Sequence, residues 1–328
     1  MRAWQIPELG NPWEKLTIVQ TDLPALQKGS VRISVEATDL NFADILQCQG
    51  TYQVKLAPPF TPGMTAAGTV IEASVDSPLN VGDRVVGPTL DIFGGYAEQA
   101  IVLSEQCQLL PEHVSTHTAA AMDITYTTAW FALHQRGQLK AGETVLVLAG
   151  AGGVGSAAIQ LAKCNGCWVI AAAGSAEKAA TCIALGADEA IDYRNQSLFH
   201  RVKELTDGRG VDVIYDPVGG EHFDTARRLL AWEGRLLVIG FASGDIPSAP
   251  ANHALVKNYS VVGVHMGGYR GRDSKPFEVC YRELYQMLLE EKISPLVDQT
   301  IGFTDLPQAL LRLANRGTQG RVVFDPKQ

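Results

Sequence analysis

Two hydrophobic rhythms divide the chain. Up to about residue 122, apolar and polar positions alternate in short runs broken by Pro and Gly: SVRISVEAT, AAGTVIEASV and DRVVGPTL, with VGDRV as a tight turn. Alternation of period two predicts half-buried strands, and their closeness in sequence predicts a β-barrel-like unit. From about Ala119 the rhythm changes. A helical run, THTAAAMDITYTTAWFALHQRG, leads into strand ETVLVLAG, helix SAAIQLAKCNG, strand WVIAAAG, helix AEKAATCIALG and strand EAIDY. The series continues with helix SLFHRVKELTDG, strand VDVIYDPVGG, helix HFDTARRLLAWEG and the strands RLLVIGF and YSVVGVH. Continuous Val/Ile/Leu runs mark strands covered on both faces. Their alternation with helices predicts an α/β doubly wound parallel sheet. After about residue 267, an amphipathic helix (PFEVCYRELYQMLLEEK) precedes PLVDQTIGFTDLPQALLRLANRG and the strand GRVVF. That tail is too short for its own core and is assigned to the first domain. The expected domains are 1–122 with 267–328, and 123–266.

Composition refines this picture only slightly. A chain of 328 residues suits two domains, and 46% apolar with 19% charged residues suits a large core. A net charge of −8 argues against nucleic acid or an anionic membrane as the main partner. The first residues show no apolar run behind a basic start, and no apolar stretch reaches the roughly 18 residues that span a bilayer. A cytoplasmic protein is expected. The cysteines (Cys48, Cys107, Cys164, Cys167, Cys182 and Cys280) are scattered, and no second CxxC or His pair joins CNGC. A four-ligand zinc site is therefore not supplied, and the pair is assigned to packing at a helix end in a reduced compartment.

Chemistry enters with ETVLVLAGAGGVGSAAIQLA. A buried strand, Val145 to Leu148, runs into Gly150, Gly152, Gly153, Val154 and Gly155 and then straight into a helix. Small residues allow a tight turn and the close approach of a pyrophosphate, while the helix N-terminus offers N–H groups and a positive dipole end. Such a loop alone is weak; between a strand and a helix of a βαβ series it is a dinucleotide signature. About 20 residues on, an acid would hold the ribose 2′-hydroxyl of NAD. Here the chain reads AAAGSAEK instead. Gly174 brings no carboxylate, and Ser175 and Lys178 suit a 2′-phosphate that an acid would repel. Tyr193, with Arg194 beside it, ends the third strand where it can flank the adenine or the phosphate. Glu177 is expected to point away. NADPH is read over NADH.

In order along the chain, ATDLNFADILQCQGTY, PFTPGMTAAGTV, VGDRV, AGAGGVG, DPVGG and IGFASG give a further reading. Over essentially its whole length the chain resembles a medium-chain dehydrogenase/reductase of the zinc-free, zeta-crystallin-like quinone oxidoreductase branch. The resemblance implies a GroES-like β-barrel catalytic domain made from both chain ends, with a Rossmann domain inserted and NADPH in the cleft between them. It also implies a homodimer through paired edge strands, for which YSVVGVH is the candidate. Zinc-dependent relatives place a Cys where Asn41 stands and a His where Met64 stands; an amide and a thioether do not replace those ligands. No metal is expected, so the substrate must accept hydride readily, as a quinone or activated alkene does. The family's NxxDxxxxxGxY pattern is met by Asn41, Asp44, Gly50 and Tyr52. By resemblance Asn41 lies near the nicotinamide ribose and Tyr52 near the substrate, as a donor of a hydrogen bond or a proton. Asp44 is expected to fix local backbone. Thr128 matches a position lining the nicotinamide pocket, and Phe241, Ala242 and Ser243 the loop after the fifth strand. Val264, His265 and Met266 match a strand end closing over the nicotinamide, and Arg316 a position that contacts the cofactor in some members. Thr65 stands where a carboxylate is usual, which is expected to alter geometry and not function.

The leading expectation is an NADPH-dependent reductase that passes a hydride to a quinone. An enoyl or enal reductase, with Tyr52 protonating the carbon beside the carbonyl, stays open, because acceptor shape is set by loops around 52–60, 90–96 and 266–275. A third reading is a nucleotide-binding protein of crystallin-like or RNA-binding use; the acidic balance counts against RNA. The seven histidines show no ligand spacing, and no Gly-x-Ser-x-Gly elbow is present.

Overall fold

A computed structural model describes residues 1–90 and 93–328. By its internal contacts the chain divides into two compact units, Met1–Ile124 with Pro295–Gln328, and Thr125–Ser294. The stretch 267–294 thus belongs with the second unit and not, as expected of a tail too short for its own core, with the first. Its buried face, Phe277, Cys280, Tyr281 and Leu284, finds a partner there. The Phe277 and Tyr269 rings lie 4.6 and 4.9 Å from Phe131, and Trp130 Nε1 donates to Glu283 Oε2 at 2.7 Å.

The second unit is a βα series. Its elements are β1 (Thr144–Val147), α1 (Gly153–Cys164), β2 (Trp168–Ala173), α2 (Ala176–Ala184), β3 (Glu189–Asp192), α3 (Leu198–Leu205), β4 (Val211–Asp216), α4 (Gly220–Leu229), β5 (Leu230–Val238), α5 (Ala251–Lys257) and β6 (Ser260–Gly263). All neighbours are parallel, in the order β3-β2-β1-β4-β5-β6. This is a Rossmann sheet. Leu146, Ile170, Ile191, Ile214 and Leu236 are fully buried in it, each contributing about 1.5–3 kcal/mol by leaving water. The order reverses between β1 and β4, and open sheets of this kind bind ligands at the carboxyl ends of the strands beside such a reversal.

Two boundaries differ from the sequence pattern. LLAWEG does not finish α4 but opens β5. Leu230 pairs with Val211, the ladder resumes at Val213 and Arg235, and Glu233 takes φ +59 in the bulge between them. Buried Leu230 and Ala231 thus join the sheet while Trp232, 63% exposed, stands out of it. The last strand stops at Gly263, so Val264 to Met266 follow it as a loop.

In the first unit, a sheet runs through Val297–Ile301, Arg321–Phe324, Ser30–Asp39, Thr65–Ala73, Arg84–Pro88 and Gln108–Leu109, with Gln99–Leu103 also paired to Ser30–Asp39. Val323 lies opposite Asp39, so both chain ends meet in one GroES-like sheet. Ile33, Val35, Val70 and Val85 fill its interior. Helix Phe42–Cys48 follows the long strand directly and carries the NxxD pattern at its start. Among the described residues, no helix is long and apolar enough to cross a membrane.

Candidate functional site

The glycine turn is built by one close approach. After β1, Ala149 adopts φ +51 and turns the chain. Gly150 N–H donates to Ala172 O, and Gly152 N–H to Ala149 O, each at 2.9 Å. A Cβ on Gly155 would stand 2.2 Å from Ala149 O, and one on Gly150 2.9 Å from Cys182 Sγ. Only glycine lets α1 press this tightly against the sheet. Gly152 caps α1, so the N–H groups of Gly153, Val154 and Gly155 are those a helix cannot satisfy within itself. With the positive end of the dipole they suit a pyrophosphate.

The ends of β2 and β3 converge on Gly174. A Cβ there would meet Tyr193 Oη at 2.9 Å and come 3.7 Å from Arg194 Nε. The glycine is therefore a space kept for its neighbours. Ser175 is the N-cap of α2, its Oγ accepting from Lys178 N–H at 3.2 Å; the hydroxyl proton is still free to be donated elsewhere. Lys178 lies half-buried in the first turn of α2, and Glu177 is exposed. Asp192, the acid ending β3, serves its own turn, accepting from Arg194 N–H at 3.1 Å and Asn195 Nδ2 at 2.7 Å. Tyr193 rests edge-on against His222, their rings 4.9 Å apart.

Beyond the reversal, the loops after β4 and β5 are joined. Buried Asp216 accepts from Val218 N–H at 2.8 Å and Gly219 N–H at 3.0 Å. Ala242 N–H then donates to Pro217 O at 3.1 Å, and Ser243 N–H to Val218 O at 2.9 Å. Phe241 is left 36% exposed. Val264 N–H extends the ladder to Val238 O at 3.1 Å, while His265 is exposed and Met266 half-buried. Thr128 is half-buried on helix Thr116–Trp130. Asp216 opens the DPVGG motif, but no role was assigned to it from the sequence.

The first unit holds the NxxD residues. Asn41 caps helix Phe42–Cys48, and its own N–H donates to Asp44 Oδ2 at 2.8 Å. Asp44, fully buried, also accepts from Tyr96 Oη at 2.8 Å and Met64 N–H at 3.2 Å. It fixes backbone, as expected. The Asn41 amide is held by Asp39 and Arg321, two residues sequence reasoning missed. Thr65 donates its hydroxyl to Asp39 Oδ1 at 3.2 Å. Tyr52 is half-buried, and its acidity is weakened first by burial and then by the charge of Asp44. Arg316 lies exposed in a first-unit turn at φ +58 after helix Leu306–Ala314. Residues 91 and 92 of the loop expected to shape the acceptor lie outside the described residues. Among those described, no three His, Cys, Asp or Glu side chains gather as a metal site.

Comparison with known proteins gives consistent matches. The alcohol dehydrogenase GroES-like domain matches residues 27–112, and the zinc-binding dehydrogenase domain residues 153–280. Bovine quinone oxidoreductase-like protein 2 is 40% identical over 328 residues, covering 99% of this chain and 93% of its own. The structure of Escherichia coli quinone oxidoreductase complexed with NADPH superposes with a TM-score of 0.92 at 27% identity, covering 99% of this chain and 100% of that one. Quinone oxidoreductase of Thermus thermophilus, also solved with NADPH, gives 0.85 at 34% identity over 99% and 100%.

Asp44 makes the first unit sensitive to acid in an unusual direction. Burial raises its pKa from 3.8 to about 6, the hydrogen bonds from Tyr96 and the backbone opposing the rise. A carboxyl that binds its proton more tightly when folded adds stability that is complete below its unfolded pKa and is lost as pH rises through the folded one. Relative to Asp44→Asn, the wild-type chain should therefore gain about 1 kcal/mol between pH 7 and pH 5, read by urea unfolding. An equal difference at both pH values would mean that Asp44 titrates like a solvated acid.

Proposed function

The chain belongs to the zinc-free quinone oxidoreductase branch of the medium-chain dehydrogenases/reductases, and on that premise we propose that it is an NADPH-dependent reductase of quinones. The observation that carries the nucleotide reading is the carboxyl edge of the parallel sheet. There the Gly152–Gly155 turn opens α1, and Tyr193, Arg194 and Ser175 surround Gly174, with Lys178 one turn on. When bound, NADPH supplies the hydride; the chain binds, orients and keeps water out. The glycine turn receives the pyrophosphate, and Ser175, Lys178, Tyr193 and Arg194 bracket the 2′-phosphate and adenine. We assign Thr128, Phe241 to Ser243 and Val264 to Met266 to the nicotinamide half, and Asn41 to its ribose. Arg316 is retained as a cofactor contact on resemblance alone.

Tyr52 distinguishes the two acceptors. A quinone oxygen gaining charge needs a hydrogen bond, whereas an alkene carbon needs a proton. Burial and Asp44 make Tyr52 a poorer acid while leaving it a hydrogen-bond donor, which favours the quinone. We further assign β6 to a homodimer contact: it is the sheet's edge, with Val261 42% exposed, and such edges invite pairing.

With NADPH, the protein should reduce 1,4-benzoquinone and 9,10-phenanthrenequinone and leave crotonyl-type enones untouched; the opposite pattern replaces quinone by alkene. Lys178→Glu should weaken NADPH binding at least about tenfold, the scale of a charge-assisted hydrogen bond, and change NADH binding little. Equal losses would assign Lys178 to the fold. Sedimentation equilibrium should give twice the chain mass of 35.3 kDa, and a monomer at micromolar concentration would remove the dimer.

A further inference from the structure

The amide of Asn41 is held in one orientation by two buried charges. Arg321 Nη2 donates to Asn41 Oδ1 at 2.7 Å and to Asp39 Oδ2. Asn41 Nδ2 donates to Asp39 Oδ1 at 3.0 Å and to Asp39 O at 3.4 Å. A guanidinium has no acceptor and a carboxylate no donor, so turning the amide over would set like against like at both ends. Asp39 is fully buried, and Asn41 and Arg321 are 5% and 7% exposed. Water therefore offers little relief for the flipped state.

A count of hydrogens and lone pairs gives the consequence. Both Nδ2 hydrogens of Asn41 face Asp39, and its backbone N–H faces Asp44. Arg321 occupies one of the two lone pairs on Oδ1, and the Asp44 N–H that faces this side chain in the capping box donates to Asn41 O at 3.0 Å, so at most one lone pair is left for anything that arrives. The guanidinium is oriented for this contact and not for its own satisfaction. Both Nη2 hydrogens are engaged, whereas the Nε–H is buried without a partner among the described residues.

We propose that Arg321, together with Asp39, is a positioning residue that makes Asn41 a one-way acceptor: it takes a hydrogen bond from a ligand hydroxyl and gives none to a ligand oxygen. The inference rests on the NADPH reading, in which the hydroxyl is that of the nicotinamide ribose. It removes Asn41 from any part in stabilising charge on the acceptor and leaves that donor role to Tyr52.

The test is a double-variant cycle. Dissociation constants for NADPH and for 2′,5′-ADP, which lacks the nicotinamide ribose, are measured for wild type, Asn41→Ala, Arg321→Met and the double variant, with thermal unfolding alongside. Each single change should weaken NADPH about tenfold, the loss of one hydrogen bond to a ligand. The double variant should be no weaker than Asn41→Ala, and 2′,5′-ADP should bind all four alike. Arg321→Lys, which keeps charge and donors, should recover most of the loss. Where Arg321→Met does not fold, Asp39→Asn takes its place, because an amide at position 39 no longer dictates which end of Asn41 it meets. Additive losses, or unchanged NADPH binding with only a lowered melting temperature, overturn the role of Arg321. A parallel loss of 2′,5′-ADP overturns it too. A wild-type chain that binds neither nucleotide overturns the NADPH reading itself.

Discussion

The constraint on which the nucleotide-type edge of the second unit depends is an absent methyl group. Ala149 O occupies the space where a side chain at 155 would begin, so α1 starts directly on the end of β1 and its open N–H groups sit beside the reversal of the sheet. A larger residue would push the helix away, and overpacking of this kind costs about 1–3 kcal/mol even where the chain can relax. The turn, the cap and the positive helix end all follow from that contact. So does the reach of the neighbouring strand ends, since β2 hydrogen-bonds to Gly150 through Ala172.

Around this anchor, charges are handled in two ways. At the edge of the second unit, acids are turned to local use: Asp192 and Asp216 each hold their own loops. A hydroxyl, a phenol and a guanidinium stand beside Gly174. In the first unit the charges are buried and must satisfy one another, because an isolated ion there would cost several kcal/mol. Asp39 and Arg321 form such a pair, bracketing Asn41. Asp44 is buried with hydrogen-bond donors alone, and its raised pKa records the difference.

Much of this was legible in the sequence because it is local. Strand and helix rhythms, the glycine turn and the missing acid at Gly174 lie within short windows, and each maps onto a single loop or cap. Distant pairings were not legible. An amphipathic pattern says that helix Lys275–Leu289 has a partner but not which one, and only Phe131 and Trp130 settle that. LLAWEG is apolar enough for either a helix end or a strand, and the buried pair Leu230 and Ala231 decides for the sheet. Arg321 reads as the first residue of an ordinary strand; its meaning comes from Asp39 and Asn41, which approach it only through the sheet register.

That register also orders how the molecule can be made on a ribosome. The long strand Ser30–Asp39 is synthesised well before its neighbour Arg321–Phe324. The inserted unit, encoded wholly between Thr125 and Ser294, has every strand of its sheet well before that. Translation therefore delivers a complete nucleotide-type sheet while the earlier half of the first unit waits with an open edge and an unmatched Asp39. An edge of that kind is prone to wrong pairing, so a strand made after the whole inserted unit closes a sheet whose other half was made before it.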